Sequence, residues 1–391
     1  MLTAPFDTRA PARQQPAWPD PDQVQEVRNA LRRKPPLVTG AEVMTLRSHL
    51  TTAQARHALV LQGGDCAELF AESGGEAVQR KLDLLYRLAD RCRSATALPV
   101  VTIGRLAGQY AKPRSNPVEE LPGGRMVPSY RGDGVNGRQP EPHSRRPDPQ
   151  RLLTAYDCAR ATLEHVRSSW RHRSTAERVY TSHEFLLLDY ELPLLQHQHG
   201  LRYAGSAHFG WVGERTRNPA GAHVSLVGSI GNPVGIKIGP SAAPDDVTRL
   251  VATASAAEEP GKITLIVRMG AVALPEALPP IVAAVARQGI PVTWLCDPMH
   301  GNTVVTPHGQ KTRSLVSMKA EIDGFVSVLH RAREWPAGLH IEMTPYRVTE
   351  CVQDLGDIAS SAPLGPYTSA CDPRLNAAQA EEIVEHFVEL L

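Results

Sequence analysis

Beyond about residue 56, short runs rich in Val and Ile alternate with longer stretches of helical period. The strand candidates are residues 57–62, 99–104, 178–183, 208–213, 233–239, 262–268, 291–296 and 338–343. Several, such as "KITLIVR", show no polar alternation, as expected of parallel strands covered on both faces. Helical patterns fall at 76–92, 148–169, 245–257, 274–288, 314–333 and 377–391. Asp148 reads as the N-cap of the second, with Pro149 at its first helical position. Eight strands separated in this way predict an α/β fold, a (β/α)8 TIM barrel. A doubly wound open sheet shares the alternation.

Ahead of the barrel, seven of the first 36 residues are proline, which predicts an extended arm. Within it Asp20, Pro21 and Gln23 stand at the N-cap, first-turn and capping-box positions of a helix running to about Arg33. A second helix is expected over 39–55. The division is thus residues 1–55 as arm and helices, and 56–391 as barrel. Residues 116–147, rich in Gly, Pro and Arg, read as a long loop after the second strand, of the kind that carries function or forms a lid.

In a barrel, chemistry sits at the carboxyl ends of the strands. Strand one ends in "LQGGDCAE", and strand two runs into "GRLAGQYAKPRS", with Arg105, Lys112, Arg114 and Ser115. Trp211, Glu214 and Arg215 follow strand four, Lys237 lies in strand five, and Arg268 closes strand six. Asp297 and His300 follow strand seven, Glu342 closes strand eight, and Asp372 precedes the last helix. Cys66, His300, Glu342 and Asp372 offer one sulfur, one nitrogen and two carboxylates, a set that suits a borderline divalent ion. No short spacing singles them out, since cysteine is commonly a buried small residue and Glu342 could pair with an arginine. Lys237 and Arg268 stand in apolar strands, where an unpaired charge is costly. Either buried acids partner them or an anionic substrate does, and several cations beside a metal favour a substrate with phosphate and carboxylate.

Composition narrows the class. The chain has 391 residues, is 42% apolar, and carries a formal charge of +1, so no global field draws it to nucleic acid or to an anionic membrane. Six cysteines without close repeated spacing do not read as a secreted disulfide framework. No apolar run at the start suits a signal peptide, and the most apolar stretch, 263–286, is broken by Arg268, Glu276 and prolines. A soluble, cytoplasmic protein is expected.

The motifs "LQGGDCAE", "GRLAGQYAKPRS", "WVGERTR", "NPVGIKIGP", "DPMHGNT", "HIEMT" and "CDPRLN" closely resemble the type II family of 3-deoxy-D-arabino-heptulosonate 7-phosphate (DAHP) synthases, in order from about Trp18 onward. The resemblance implies a (β/α)8 barrel that condenses phosphoenolpyruvate with erythrose 4-phosphate at the entry to the shikimate pathway. It implies a divalent metal, Mn²⁺ or Co²⁺ with Zn²⁺ or Fe²⁺ as alternatives, on Cys66, His300, Glu342 and Asp372. It places phosphoenolpyruvate among Arg105, Glu214, Arg215, Lys237 and Arg268, and the aldose phosphate near Lys112, Ser115 and Arg215. Trp211 is either an apolar wall of the site or a core aromatic. Lys112, Glu214, Arg215 and Lys237 are the candidate catalytic groups, Glu214 orienting the water and Lys112 protonating the new alkoxide. Asp65 and Glu68 are expected to be structural, and Cys371 to approach Cys66 at the barrel mouth. A homo-oligomer, dimer or tetramer, is expected.

This sequence also departs from that family. Feedback-regulated members carry a longer N-terminus and an extra helical pair between strands two and three, whereas only "VRSSWRHRSTAERVY" stands here, as in shorter forms serving secondary pathways such as phenazine biosynthesis. Pro345-Tyr346-Arg347 replaces a Gly-containing loop, and a basic residue before Asn232 is missing. These changes leave open an imino or amino analogue of the aldose phosphate as acceptor. A barrel that has lost activity and regulates a pathway enzyme is the rival from another class.

Overall fold

The computed structural model describes residues 6–121, 124–255, 259–359 and 363–391. Every apolar run read as a strand is one. They are β1 (Leu59–Gly64), β2 (Val100–Arg105), β3 (Val179–Glu184), β4 (Phe209–Val212), β5 (Val234–Ile238), β6 (Ile263–Val267), β7 (Val292–Cys296) and β8 (Pro336–Glu342). Each pairs in parallel with its sequence neighbours, and β8 pairs with β1 to close the barrel.

Helix α1 (Pro21–Arg32) starts where expected, with the Asp20 carboxylate accepting the Asp22 and Gln23 amides. Helix α2 (Gly40–Gln54) opens on a capping box between Thr39 and Glu42. It lies across the amino-terminal end of the barrel. There Leu46, Leu50 and Ala53 pack with Val60, Val101, Phe209, Trp211, Leu295 and Ala337 from the strands. Burying each large aliphatic side chain contributes roughly 1.5–3 kcal/mol.

The outer helices are α3 (Gly75–Thr96), α4 (Arg151–Ser169), α5 (Ala222–Gly228), α6 (Pro244–Ala254), α7 (Leu274–Gln288), α8 (Leu315–Arg331) and α9 (Ala377–Glu389). Helix α4 starts two residues later than expected, with Gln150 at its N-cap, and Asp148 accepts the Gln150 amide at 2.9 Å in a tighter turn ahead of it. Helix α6 ends at Ala254, and the expected end at Ala257 lies outside the described residues.

Two segments differ from the sequence reading. Between β3 and β4 no full helix forms. A single turn at Leu188–Glu191, another at Leu192–Leu194 and a hairpin of Leu195–Gln198 with Leu201–Ala204 make the crossover, and α1 packs against the two turns. An N-terminal helix therefore covers this part of the barrel. The supposed loop 116–147 contains a β-hairpin, Val118–Leu121 with Arg125–Pro128. Val118 and Met126 are exposed and Val127 is buried, so no alternating apolar face marked it as sheet.

Candidate active site

The two glycines that end β1 set the geometry. Gly64 lies between Arg105 on β2 and Glu342 on β8 in the barrel register. Its φ is +147°, and an added Cβ would stand 2.7 Å from the Arg105 carbonyl oxygen. With no side chain between them, Arg105 Nη2 donates to Glu342 Oε1 at 2.9 Å. Immediately beyond, Asp65 binds Lys81 and Arg374, each at 2.7 Å, and Glu68 accepts the amides of Ala107, Gly108 and Gln109. Both acids are structural, as expected. Burial pushes Asp65 up, but Lys81 and Arg374 hold it below the usual carboxylate range.

Cys66 stands between them with its sulfur turned inward. Sγ accepts from Lys112 Nζ at 2.7 Å and from the Asp372 amide at 3.1 Å, and the Cys371 thiol is near enough for each to shift the other's titration. Ligand atoms of Cys66, Glu342 and Asp372 all lie within 4.8 Å of one another. His300 abuts this trio, its Nε2 3.1 Å from Glu342 Oε1, while Asp297 Oδ2 holds Nδ1 at 2.7 Å. The four residues singled out from the sequence are therefore brought to one place.

Two observations show that this place suits a cation. The Lys112 ammonium sits among the donors, 2.7 Å from Cys66 Sγ, 3.0 Å from Glu342 Oε1 and 2.8 Å from Asp372 Oδ2. Asp297 holds His300 by Nδ1, which turns Nε2 toward Glu342 Oε1 at 3.1 Å, beside the Cys66 and Asp372 donors. Burial pushes Glu342 up, yet His300, Lys112, Arg313 and Arg105 hold it well below the usual range. Burial and the neighbouring carboxylates push the Cys66 thiol up. A coordinated divalent ion reverses that by deprotonating a thiol outright.

Above the donors opens a cleft of about 750 Å³. Six cations line it: Lys112, Arg114, Arg215, Lys237, Arg268 and Lys311. Lys237 is paired with Asp297 at 2.9 Å, as the buried-acid reading required. Arg268 has no carboxylate partner among the described residues. One guanidinium nitrogen donates to the His300 carbonyl at 3.1 Å, and its Nε is buried without a partner. Arg215 is also free of carboxylates and donates to Ser115 Oγ, which joins these two predicted residues across the cleft. Glu214 lines the cleft with both oxygens engaged, by Arg217 and by the Gly239 amide, each at 2.7 Å.

Arg105 and Trp211 lie behind the cleft. Arg105 is 2% exposed and spends its donors on the Asp65 carbonyl, His340 and Glu342. Its guanidinium lies 5.0 Å from the centre of the Trp211 ring, which meets His340 edge-on. Trp211 is thus the floor under the cations, in the barrel core. Burial together with Lys237 and Arg105 holds His340 well below its usual value. The neutral ring accepts from Arg105 at Nε2 and donates from Nδ1 to Gln62 Oε1 at 2.8 Å.

Sequence reasoning missed Arg313, Lys311 and Glu184. Arg313 donates to Glu342 Oε2 at 2.8 Å from a short hairpin of Thr303–Val305 with Lys311–Arg313, which has no legible period. Glu184 is the last residue of β3 and carried the same strand-end signal as the residues that were picked out.

The fold and this mouth together define a (β/α)8-barrel enzyme whose cleft is built for anions and whose deepest donors are built for a cation. The chain belongs to the Class-II DAHP synthetase family, whose sequence pattern matches residues 6–175 and 168–387. It is 43% identical over 378 residues to a probable phospho-2-dehydro-3-deoxyheptonate aldolase of Pseudomonas fluorescens, covering 94% of this chain and 92% of that one. It is 36% identical over 436 residues to a phospho-2-dehydro-3-deoxyheptonate aldolase of Mycolicibacterium smegmatis, covering 97% and 93% respectively. A solved phospho-2-dehydro-3-deoxyheptonate aldolase of Francisella tularensis shares the fold, with a TM-score of 0.58 at 14% identity over 93% of this chain and 95% of that one. No helix among the described residues is long and apolar enough to cross a membrane.

A Cys66→Ala variant is expected to fold but to lose turnover and bound divalent metal, because it removes the sulfur donor and leaves the barrel strands untouched. Metal content by elemental analysis, circular dichroism and initial rate check this. Full, chelator-sensitive activity in the variant would refute the assignment.

Proposed function

We propose that the chain condenses phosphoenolpyruvate with erythrose 4-phosphate and water to give DAHP and phosphate. The observation that carries the reading is the pair of arginines without a carboxylate partner among the described residues, Arg268 and Arg215, in a cleft lined also by His300 and Asp372, with Cys66 and Glu342 buried behind them. A divalent ion on those four residues would supply Lewis acidity toward the aldehyde oxygen. Arg268 and Lys237 bind the phosphate and carboxylate of phosphoenolpyruvate, and Ser115 and Arg215 bind the phosphate of the aldose. Holding two polyanions together offsets their repulsion and makes the encounter unimolecular. The enol carbon C3 attacks the aldehyde carbon. The carbonyl oxygen then takes a proton, for which Lys112 is the donor in reach. Burial disfavours its charge, but Asp372, Cys66 and Glu342 keep its ammonium well above the usual lysine value. C2 is left electron-poor, water adds there, and phosphate leaves.

The periodate–thiobarbiturate assay of product, with metal and both substrates, tests this. Product that disappears on chelation and returns with Mn²⁺ or Co²⁺ is expected. Product only from an amino analogue of the aldose phosphate would move the acceptor. No product from any aldose phosphate in metal-loaded protein would favour a regulatory barrel.

We further read the chain as free of feedback by aromatic amino acids and as serving a secondary pathway. Only residues 170–178 join α4 to β3. The alignment with the M. smegmatis relative runs over 436 positions against the 391 residues here, so that relative carries segments this chain lacks. Titrating Phe, Tyr and Trp against initial rate is expected to show no saturable inhibition at physiological levels. Clear saturation would overturn the reading.

A further inference from the structure

Glu184 is an anomaly in a mouth so rich in cations. It ends β3, where the Gln109 side chain accepts its backbone amide at 2.9 Å and fixes its position. Its carboxylate faces the cleft. Yet it forms no ion pair with any described residue, and Oε1 is buried without a hydrogen-bond partner. The cations that favour its charged form are Lys237, Lys112, Arg105 and Arg215, from β5, from β2 and the loop that follows it, and from the end of β4. Burial outweighs them and pushes the carboxyl above its usual value. The fold also keeps space for it. A Cβ on Gly213 would stand 2.2 Å from Oε1, so the glycine of the "WVGERTR" turn is what leaves the carboxylate room.

A buried carboxylate oxygen left unsatisfied costs free energy unless a partner arrives during function. Both organic substrates are anions, and their phosphates and carboxylate would be repelled by it. The remaining reactant is water, a neutral O–H donor. Glu214, the carboxylate that the sequence assigned to the water, has both oxygens committed to Arg217 and to the Gly239 amide. We propose that Glu184, rather than Glu214, is the general base that activates the water attacking C2 of phosphoenolpyruvate.

The inference rests on the condensation proposed above. The C3–C bond forms from the enol electron pair, and the aldehyde oxygen takes a proton from Lys112. A water lone pair forms the new C2–O bond while one water proton passes to the Glu184 carboxylate. The C2–O bond to phosphate breaks with its electron pair on phosphate, which takes the proton back from Glu184. The proton of the new C2 hydroxyl replaces the one that Lys112 gave as the ketone forms.

Glu184→Gln keeps the size and removes the base. With metal-loaded protein, kcat is expected to fall by at least about 100-fold, the lower end for loss of a general base. Phosphoenolpyruvate affinity by calorimetry and KM for erythrose 4-phosphate should stay within about threefold of the parent. Glu184→Asp, which keeps the carboxylate but shortens its reach, should fall between the two in kcat. An unchanged kcat in Glu184→Gln beside an active parent would overturn the assignment alone. So would a loss confined to KM for erythrose 4-phosphate, which would make Glu184 a contact to a sugar hydroxyl. A parent that forms no product would overturn the reaction and this role with it.

Discussion

Glu342→Ala should yield a protein with no measurable turnover that is also less stable by about 3–5 kcal/mol, the usual cost of breaking a buried ion pair. The carboxylate is fully buried and is shared by Arg105, Lys112, Arg313 and His300 at 2.8–3.1 Å. Truncation leaves buried cations facing one another with the neutralising charge gone. Denaturant midpoints with an unchanged slope report the loss, and product assay reports the activity. A variant as stable as the parent would show that the pairs contribute little. The same residue makes the mouth sensitive to acid. Because its folded value lies below the unfolded one, its contribution is present above the ordinary glutamate value and is lost as pH falls through the folded value.

Arg268→Ala should behave in the opposite way on stability. No carboxylate depends on this guanidinium among the described residues, so the denaturant midpoint should barely move. The phosphate or carboxylate that it binds would lose one or two charge-assisted hydrogen bonds, roughly 1.5–3 kcal/mol each. KM for phosphoenolpyruvate should then rise by about 10- to 100-fold or more, with a smaller effect on KM for the aldose phosphate. A rise confined to the aldose phosphate would exchange the two subsites. Unchanged kinetics would remove Arg268 from the site.

The barrel strands were legible because a strand buried on both faces has to be apolar over its whole length, and "KITLIVR" or "PVTWLC" has few other readings. The crossover from β3 to β4 was not, because its cover comes from α1, more than 150 residues upstream of β4. Within the site, the same logic separates Cys66 from Arg313. Cys66 follows two glycines at a strand end, a position visible in the sequence, and the motif around it is what points to a ligand. Arg313 acquires its meaning only when a hairpin brings it under Glu342. Arg105 shows a further limit. A cation at a strand end is visible in the sequence, but whether it faces the cleft or backs a ligand depends on the register of β1 against both neighbours.

The helix that stoppers the amino-terminal end of the barrel has a consequence for biosynthesis. Leu46 and Leu50 of α2 emerge from the ribosome early, yet they pack in one cluster with Leu295 and Ala337, which come nearly 250 residues or more later. Until the last strand is made, the apolar face of α2 and the open edges of β1 and β7 lack their native partners. Contacts this distant in sequence slow folding, and surfaces exposed meanwhile promote aggregation. Nascent chains of this protein stalled before Ala337 should therefore engage chaperones, and release from them should follow completion of the final strand.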